Sequence, residues 1–105
     1  MKKVFVCSPY RGDVERNVAL AEAICRKVIV EEKAVPFAPH LYFPRFFDED
    51  RPEERALGIA MGLELMRCCD EVWVYEGEGV SEGMCQEVRH AHALGLPIRR
   101  FMELK

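Results

Sequence analysis

The feature that most constrains the fold is a strand–loop–helix unit in the second half of the chain. An apolar run, Val72–Tyr75, is followed by a loop that contains glycines. The next segment has apolar residues at helical spacing, at Met84, Val88, Ala91 and Leu94. Ser81 stands just before this period and is predicted to cap the helix. A short buried strand that leads through a loop into a helix is typical of α/β proteins with a parallel sheet.

The start of this helix is a candidate ligand site. A helix N-terminus presents unpaired N–H groups and a partial positive charge, which suits an anion. Glu87 lies four residues after Gly83 and therefore on the same helix face. Because helical side chains lean towards the N-terminus, we expect the Glu87 carboxylate to point over the open space in front of Gly83. On the local pattern alone, a solvated glutamate after a capping residue is the alternative.

A second strand-to-helix turn lies near the N-terminus. Lys3–Cys7 is a short apolar strand, and the segment Ser8–Asp13 breaks it. Asp13 is predicted to cap a helix whose apolar positions are Val14, Val18, Ala21, Cys25 and Val28. In open parallel sheets such a turn is where ligands bind, and Arg11 beside backbone amides would suit a phosphate. The alternative is a turn with a surface arginine.

The middle of the chain holds a long irregular segment. A second strand is predicted at Ala34–Phe37, and residues Ala38–Asp50 then contain prolines and aromatic residues without a clear period. A loop of this length in a small protein is usually functional, and we expect a lid or a subunit contact that shields the aromatic side chains from water. His40 follows the strand end, so it is predicted either to face the ligand crevice or to be structural.

The second helix is predicted to begin at Asp50 and Pro52, because proline suits the first helical position. Its predicted buried stripe consists of Leu57, Met61, Leu65 and Cys68. Gly58 and Gly62 lie on another face of the same helix. This smooth strip would let a backbone, a ligand or a partner helix approach closely.

The whole pattern predicts an α/β fold. The third helix ends near Gly95 and a last strand covers residues 97–101, so strands and helices alternate along the chain. Right-handed crossovers then give a small Rossmann-like (flavodoxin-like) three-layer sandwich with a four-stranded parallel sheet in the order 2-1-3-4. This order places the loops Ser8–Gly12 and Gly77–Gly83 at one crevice. We expect residues 1–105 to form a single domain.

The composition argues against several classes of function. The net charge of −3 gives no general attraction to nucleic acid or to an anionic membrane. No apolar run approaches transmembrane length, and we expect the first residues to form a strand and not a signal peptide. The five cysteines include no Cys-x-x-Cys pair, which favours buried thiols in a reducing cytoplasm over disulfides or a metal site. We therefore expect a cytoplasmic protein with no metal and no cofactor.

Three motifs stand at the ends of the predicted elements. They are Ser8-Pro9-Tyr10-Arg11-Gly12, Cys69-Asp70-Glu71-Val72 and Ser81-x-Gly83-Met84-x-x-Glu87-Val88. Together they resemble the nucleoside 2-deoxyribosyltransferase superfamily over nearly the whole chain. The likeness is greatest to its small branches, the 2'-deoxynucleoside 5'-phosphate N-hydrolases and uncharacterised homologues of phages and bacteria. The pairing of the first and last motifs is more specific than either alone.

The resemblance implies a role for each matching residue. Glu87 would be the nucleophile that attacks the anomeric carbon, expels the nucleobase and forms a glycosyl-enzyme ester, as in retaining glycosidases. Ser81, Gly83 and Met84 would contact the 5'-phosphate or the sugar. Ser8, Tyr10, Arg11 and Gly12 of the first motif would be the other substrate-binding residues. His40 joins them as a candidate only through its place after the second strand.

One position departs from the family's pattern. The hydrolases carry an aspartate eight residues before the one that matches Asp70, where it assists departure of the base, and here that position is Gly62. General acid catalysis is worth roughly 10²–10⁴-fold in rate. In an enzyme, Glu64, Asp70 or His40 would have to replace this acid. Arg89 likewise stands where the family often has glycine.

Two classes of function remain open from the sequence. The first is an N-glycosidase or 2-deoxyribosyltransferase acting on a nucleoside or its 5'-phosphate through Glu87. The second is a protein that binds a nucleotide or an ADP-ribose-like molecule without turnover, and a subunit with a vestigial crevice is a third interpretation. The retained Glu87 favours the enzyme, whereas the missing aspartate favours the binder. We also expect a homodimer or higher homo-oligomer, formed through Tyr42–Phe47 and the Gly58/Gly62 strip.

Overall fold

In the computed structural model, which describes residues 1–104, four parallel strands form the centre of the molecule. The elements are β1 (Lys3–Cys7), α1 (Val14–Glu32), β2 (Val35–Phe37), α2 (Pro52–Met66), β3 (Glu71–Tyr75), α3 (Glu82–Leu94) and β4 (Ile98–Phe101). The strands lie in the order β2-β1-β3-β4, and each neighbouring pair is parallel. The predicted α/β fold and strand order are confirmed. Strand β2 begins one residue later than predicted and β3 one residue earlier.

Helices cover both faces of this sheet. Because side chains alternate along a strand, Val4 and Val6 of β1 face one layer while Phe5 and Cys7 face the other. The layer formed with α1 buries Val4, Val6, Ala21, Ile24, Val28 and Trp73. The layer formed with α2 and α3 buries Phe5, Cys7, Met66, Val72, Val74, Met84 and Ala91. These two cores are the predicted three-layer sandwich.

Side-chain caps fix where the helices begin. The Asp13 carboxylate accepts a hydrogen bond from the backbone N–H of Arg16 at 3.2 Å, and the Ser81 hydroxyl accepts one from Met84 at 3.2 Å. Both predicted caps are therefore present. Helix α2 begins at Pro52 as predicted, but the residue before it is Arg51, without a side-chain cap, and not Asp50.

The buried face of α1 differs slightly from the predicted stripe. Val14 is exposed, and Val18 and Cys25 are only partly buried. Asn17 is buried instead, and its amide donates hydrogen bonds to the backbone carbonyls of Tyr10 and Arg11 at 2.9 and 3.2 Å. A polar residue was not expected in the core, but here it holds the loop that follows β1.

The buried face of α2 is not the predicted one. Leu57, Met61, Leu65 and Cys68 are all exposed. The glycine strip is buried in their place, because the chain's own irregular segment packs on it: a Cβ at Gly62 would lie 3.3 Å from Pro39 Cβ, and one at Gly58 would lie 3.4 Å from a ring carbon of Phe47. The glycines thus serve packing within one chain, and the strip is not available to a second copy.

The segment between β2 and α2 is ordered around two short 3-10 turns, Pro39–Leu41 and Phe43–Arg45, which were not predicted. Its aromatic rings pack in a chain of edge and stacked contacts that runs from Phe37 through Phe43 to Phe47. Tyr42 and Phe46 nevertheless remain 51% and 61% exposed. The expectation that this segment hides its aromatic side chains from water is only partly met within one chain.

Two further expectations concern the cysteines and the membrane. All five thiols are free; Cys7 and Cys69 are buried, Cys25 and Cys85 are partly buried, and Cys68 is exposed, contrary to the prediction. No helix among residues 1–104 combines the length and the apolar character needed to cross a membrane.

Candidate functional site

A cavity of about 350 Å³ lies at the carboxyl ends of β1 and β3. The loop after β1 contributes Pro9, Tyr10 and Arg11, and the start of α3 contributes Ser81, Glu82, Gly83, Met84, Gln86 and Glu87. The third wall comes from the irregular segment and α2, through His40, Glu49, Arg55 and Ile59. The two loops predicted to meet at a crevice therefore border the same space, as expected for this strand order.

Glu87 is the most unusual residue of this cavity. It is only 7% exposed, and its Oε1 atom has no hydrogen-bond partner among the described residues. Burial raises the pKa of its carboxyl to about 8, although a hydrogen bond from the Cys7 side chain lowers it in part. A Cβ on Gly83, one turn earlier, would meet no atom within 4 Å, so the space ahead of the carboxylate is open. An unpartnered buried carboxylate beside open space is able to receive a ligand or attack it.

Tyr10 and His40 form one wall as a stacked pair, with ring centroids 5.0 Å apart. Burial lowers the pKa of His40 to about 4, with a smaller opposing effect from a hydrogen bond to the Ser8 backbone. His40 is therefore neutral at physiological pH. Ser8 itself is fully buried, and its hydroxyl has no partner among the described residues. An unsatisfied buried hydroxyl is costly unless a ligand or water completes it.

A second cavity of about 400 Å³ adjoins the first and shares Pro9, Arg11 and Ser81 with it. Gly12 follows Arg11 in the loop before α1. Its φ of 102° is allowed for glycine but strained for other residues. Arg16 also lines this cavity, where its guanidinium forms a two-pronged ion pair with Glu78 at 2.7 and 3.0 Å. Asp13 and Glu78 also line this cavity, so the groups left to meet an anion there are Arg11 and the N-terminus of α3 at Ser81.

Two predicted catalytic residues lie away from both cavities. Glu64 exposes 71% of its side chain and lies 3.7 Å from Arg67. Asp70 stands before β3 and accepts a hydrogen bond from the Lys3 backbone N–H at 2.7 Å, at the amino end of the sheet. The cavities border the opposite, carboxyl end. The positions of Glu64 and Asp70 therefore lend no support to the prediction that either of them replaces the missing acid.

Sequence reasoning missed the wall formed by Glu49, Arg55 and Gln86. Glu49 and Arg55 line both the main cavity and an inner pocket of about 50 Å³, which Gly62 and Glu87 also line. No spacing rule identifies them, because their position depends on how the irregular segment folds onto the glycine strip. The only signal was that a long ordered segment in a small protein is usually functional.

Fold and cavity together define a small Rossmann-like α/β protein with a ligand-sized crevice at the switch point of its sheet. A solved structure with the same fold is a 2-deoxyribosyltransferase from the psychrotolerant bacterium Bacillus psychrosaccharolyticus, with a TM-score of 0.69 and 21% identity over 94% of this chain and 71% of that one. No curated protein matches the chain. The chain belongs to the family described as a domain of unknown function, DUF7768, whose model matches residues 2–101.

Proposed function

We propose that this protein cleaves the bond between base and sugar in a nucleoside or nucleoside 5'-phosphate, by hydrolysis or by transfer to a second base. In this proposal residues 1–105 are one domain of the nucleoside 2-deoxyribosyltransferase type, close to its small hydrolase-like branch. The observation that carries the proposal is Glu87: a buried carboxylate with an unpaired oxygen, set one turn into a helix that opens on a ligand-sized cavity. The fold shared with a 2-deoxyribosyltransferase supports it.

The proposed chemistry has two steps. The Glu87 carboxylate attacks the anomeric carbon, forms an ester to the sugar and displaces the base with the electron pair of the broken bond. Water or a second base then attacks the same carbon and releases Glu87. Because both steps occur at one carbon, the configuration of the sugar is retained, as in glycosidases with a carboxylate nucleophile.

The cavities suggest how such a substrate would lie. Base and sugar fit the main cavity, where the Tyr10–His40 stack offers an aromatic wall. Ser8, whose buried hydroxyl is unpaired among the described residues, directly precedes the loop residues that line this cavity. A 5'-phosphate would reach the adjoining cavity, where Arg11 and the N-terminus of α3 at Ser81 supply positive charge. Gly83 and Met84 line the path between these subsites, and Gly12 lets the first loop turn. A nucleotide would therefore bind more tightly than its nucleoside.

A binding protein without turnover is the second candidate. The observation that favours it is the pKa of Glu87, which burial raises to about 8, since a protonated carboxyl is no nucleophile. Gly62 also provides no acid at the position where the related hydrolases have one. In this alternative the same crevice holds a nucleotide or an ADP-ribose-like molecule.

Three properties accompany the proposal. The partner is a small molecule and not nucleic acid, since the net charge is −3. We place the protein in the cytoplasm of a bacterium or of a phage-infected cell, where its free thiols stay reduced. We also propose a homodimer or higher homo-oligomer.

Incubation of the purified protein with a panel of nucleosides, deoxynucleosides and their 5'-monophosphates tests the proposal. The enzyme predicts free base, detected by liquid chromatography, in amounts that exceed the protein. The binder predicts no free base and an intact ligand that stays with the protein through gel filtration. Neither free base nor retained ligand would contradict both candidates.

A further inference from the structure

The inner pocket contains a second carboxylate, Glu49. It comes from the segment ahead of α2 and is partly buried. Glu49 and Glu87 both line the main cavity and both line the inner pocket of about 50 Å³. Among residues 1–104 they are the only carboxylates that line this inner pocket. Gly62, which stands in place of the hydrolases' aspartate, borders the same pocket.

Glu49 differs from its acidic neighbours, whose carboxylates are engaged in hydrogen bonds to the backbone and in an ion pair. The Asp48 carboxylate accepts a hydrogen bond from the Asp50 N–H at 3.0 Å. The Glu54 carboxylate accepts one from the Asp48 N–H at 2.9 Å and pairs with Arg51 at 3.2 Å. Within the part of the chain that the structure describes, Glu49 makes no such hydrogen bond or ion pair. Its carboxylate is thus held at the cavity wall by the fold of its segment alone.

The surroundings of Glu49 place it beside the aromatic wall. The pKa of Tyr10 is raised by burial and, to a smaller extent, by the negative charge of Glu49. Tyr10 stacks on His40, the surface proposed above for the base. Glu49 therefore lies near the leaving group, while Glu87 comes from α3 on another side of the cavity.

We propose that Glu49 is the general acid and base of the cleavage, in the role that Gly62 cannot fill. This inference rests on the proposed function. In the first step the Glu49 carboxyl gives its proton to the departing base as the bond between sugar and base breaks, so the base leaves neutral. In the second step the Glu49 carboxylate takes a proton from the attacking water, and the ester to Glu87 breaks. Both glutamates then return to their starting states.

One proton shared between two carboxyls is the stoichiometry that this cycle needs. Burial raises the pKa of Glu87 to about 8, so the pocket holds one carboxyl proton near neutral pH. Positive charge that develops at the anomeric carbon favours the anion of Glu87. Because Glu87 attacks as the anion, its proton passes to Glu49 before the attack, and Glu49 then gives this proton to the departing base.

The other polar groups of the cavity are poorer proton donors. His40 is neutral at physiological pH, since its pKa is about 4. The phenol of Tyr10 is a weak acid whose pKa is raised further. Glu82 is exposed in the first turn of α3 and does not line the inner pocket. Arg55 carries a permanent charge and donates hydrogen bonds but no acid proton.

Substrates that differ in their need for an acid test this role. The bases of the four 2'-deoxynucleoside 5'-monophosphates leave as neutral molecules only after they are protonated. The base of N7-methyl-2'-deoxyguanosine 5'-monophosphate is already cationic and leaves without it. Initial rates of base release, corrected for the protein-free blank, are compared for the wild type, Glu49→Gln, Glu82→Gln and Glu87→Gln. Glu53→Gln, an exposed change in the first turn of α2, is the matched control.

We expect Glu49→Gln to slow release from the unmethylated nucleotide that the wild type prefers by about 10²–10⁴-fold, and from the methylated one by less than about tenfold. Glu87→Gln should lose both reactions, and Glu53→Gln neither. Turnover of the methylated nucleotide also reports that Glu49→Gln is folded. Glu49→Ala gives a second measure, because added formate should restore part of its rate.

Four results would overturn the inference alone. Three concern the variants: equal losses on both substrates, no loss, or the selective loss in Glu82→Gln. The fourth is a wild type that releases only the methylated base, since no acid would then be acting. A wild type that releases no base from either substrate would overturn the proposed enzyme and the role of Glu49 together.

Discussion

Glu87 is held in surroundings that an ionised carboxylate avoids. The side chain is 7% exposed, and one oxygen is unpaired among the described residues. The thiol of Cys7, whose own pKa is raised by burial and by Glu87, lies beside it and donates to the Met84 carbonyl at 3.8 Å. His40, Glu49 and Arg55 face it across the pocket. Strongly perturbed acids of this kind cluster at functional sites, because a purely structural role would favour an apolar side chain.

This environment predicts a pH-dependent cost in stability. The folded pKa of Glu87 is about 8, against 4.5 for the unperturbed group, so the folded protein retains a proton that the unfolded chain has lost between these values. The free energy of unfolding therefore has its full value below pH 4.5 and falls as the pH rises towards 8. Glu87→Gln removes the titration. It should be more stable than the wild type at pH 8.5, by an amount on the order of 4 kcal/mol, and similar to it near pH 5.

Urea unfolding across this pH range measures the effect. Glu64→Gln is the control, since Glu64 exposes 71% of its side chain and should leave the pH profile unchanged. A constant stability difference between Glu87→Gln and the wild type from pH 5 to 8.5 would mean that Glu87 is not buried as described.

At the scale of elements, the contact between α2 and the irregular segment builds the wall of the cavity. Gly58 and Gly62 allow Phe47 and Pro39 to lie against the helix. This packing carries His40 and Glu49 to the cavity from the same segment. The glycines therefore connect the folding of α2 to the shape of the candidate site.

A side chain at Gly62 should disturb both stability and site. In Gly62→Val the new Cβ would lie 3.3 Å from Pro39 Cβ, a tight contact, and two methyl groups would be added beside it. We expect a loss of about 1–3 kcal/mol in the free energy of unfolding, as for other overpacked cores, together with weaker ligand binding. Ala60→Val, at an exposed position of the same helix, should change stability by less than about 0.5 kcal/mol. Equal stabilities of the two variants would contradict the packing.

Most of the fold was predictable because strands and helices here are encoded locally. The apolar run of β3, the caps at Asp13 and Ser81, and Gly95 in the left-handed conformation place these elements without tertiary information. The site residue Glu87 could be predicted for the same reason, since its position follows from helical spacing alone. The prediction of the buried face of α2 was wrong, because the glycine strip of this helix is buried and its large apolar side chains Leu57, Met61 and Leu65 are not. Glu49 could not be predicted, since it reaches the site through the path of an irregular segment, and Arg55 could not because it lies on α2, whose buried face was predicted wrongly.

At the scale of the whole molecule, apolar side chains remain in water. Leu57, Met61 and Leu65 are 46%, 40% and 39% exposed along one face of α2. Tyr42 and Phe46 are exposed on the irregular segment. Surfaces of this kind are commonly covered by a partner. Self-association stays a prediction, but its basis moves from the glycine strip to the outer face of α2.

Light scattering at tens of micromolar protein tests this prediction. We expect a mass at least twice the 12.1 kDa of one chain. Met61→Glu should shift the protein towards the monomer, because it places a charge on the exposed face of α2. Val30→Glu, at a similarly exposed apolar position of α1, should not. A monomeric wild type, or equal shifts in the two variants, would count against an interface on α2.

The central claim is that Glu87 performs the cleavage, and base release by Glu87→Gln tests it most directly. The substitution keeps the shape of the side chain and removes its nucleophilic charge. On the nucleotide that the wild type turns over, we predict that the rate of base release falls by several orders of magnitude. The affinity should change by about 1 kcal/mol, as for one hydrogen bond, because a nucleophile acts mainly in the transition state. Base release that continues at the wild-type rate in Glu87→Gln would contradict the claim.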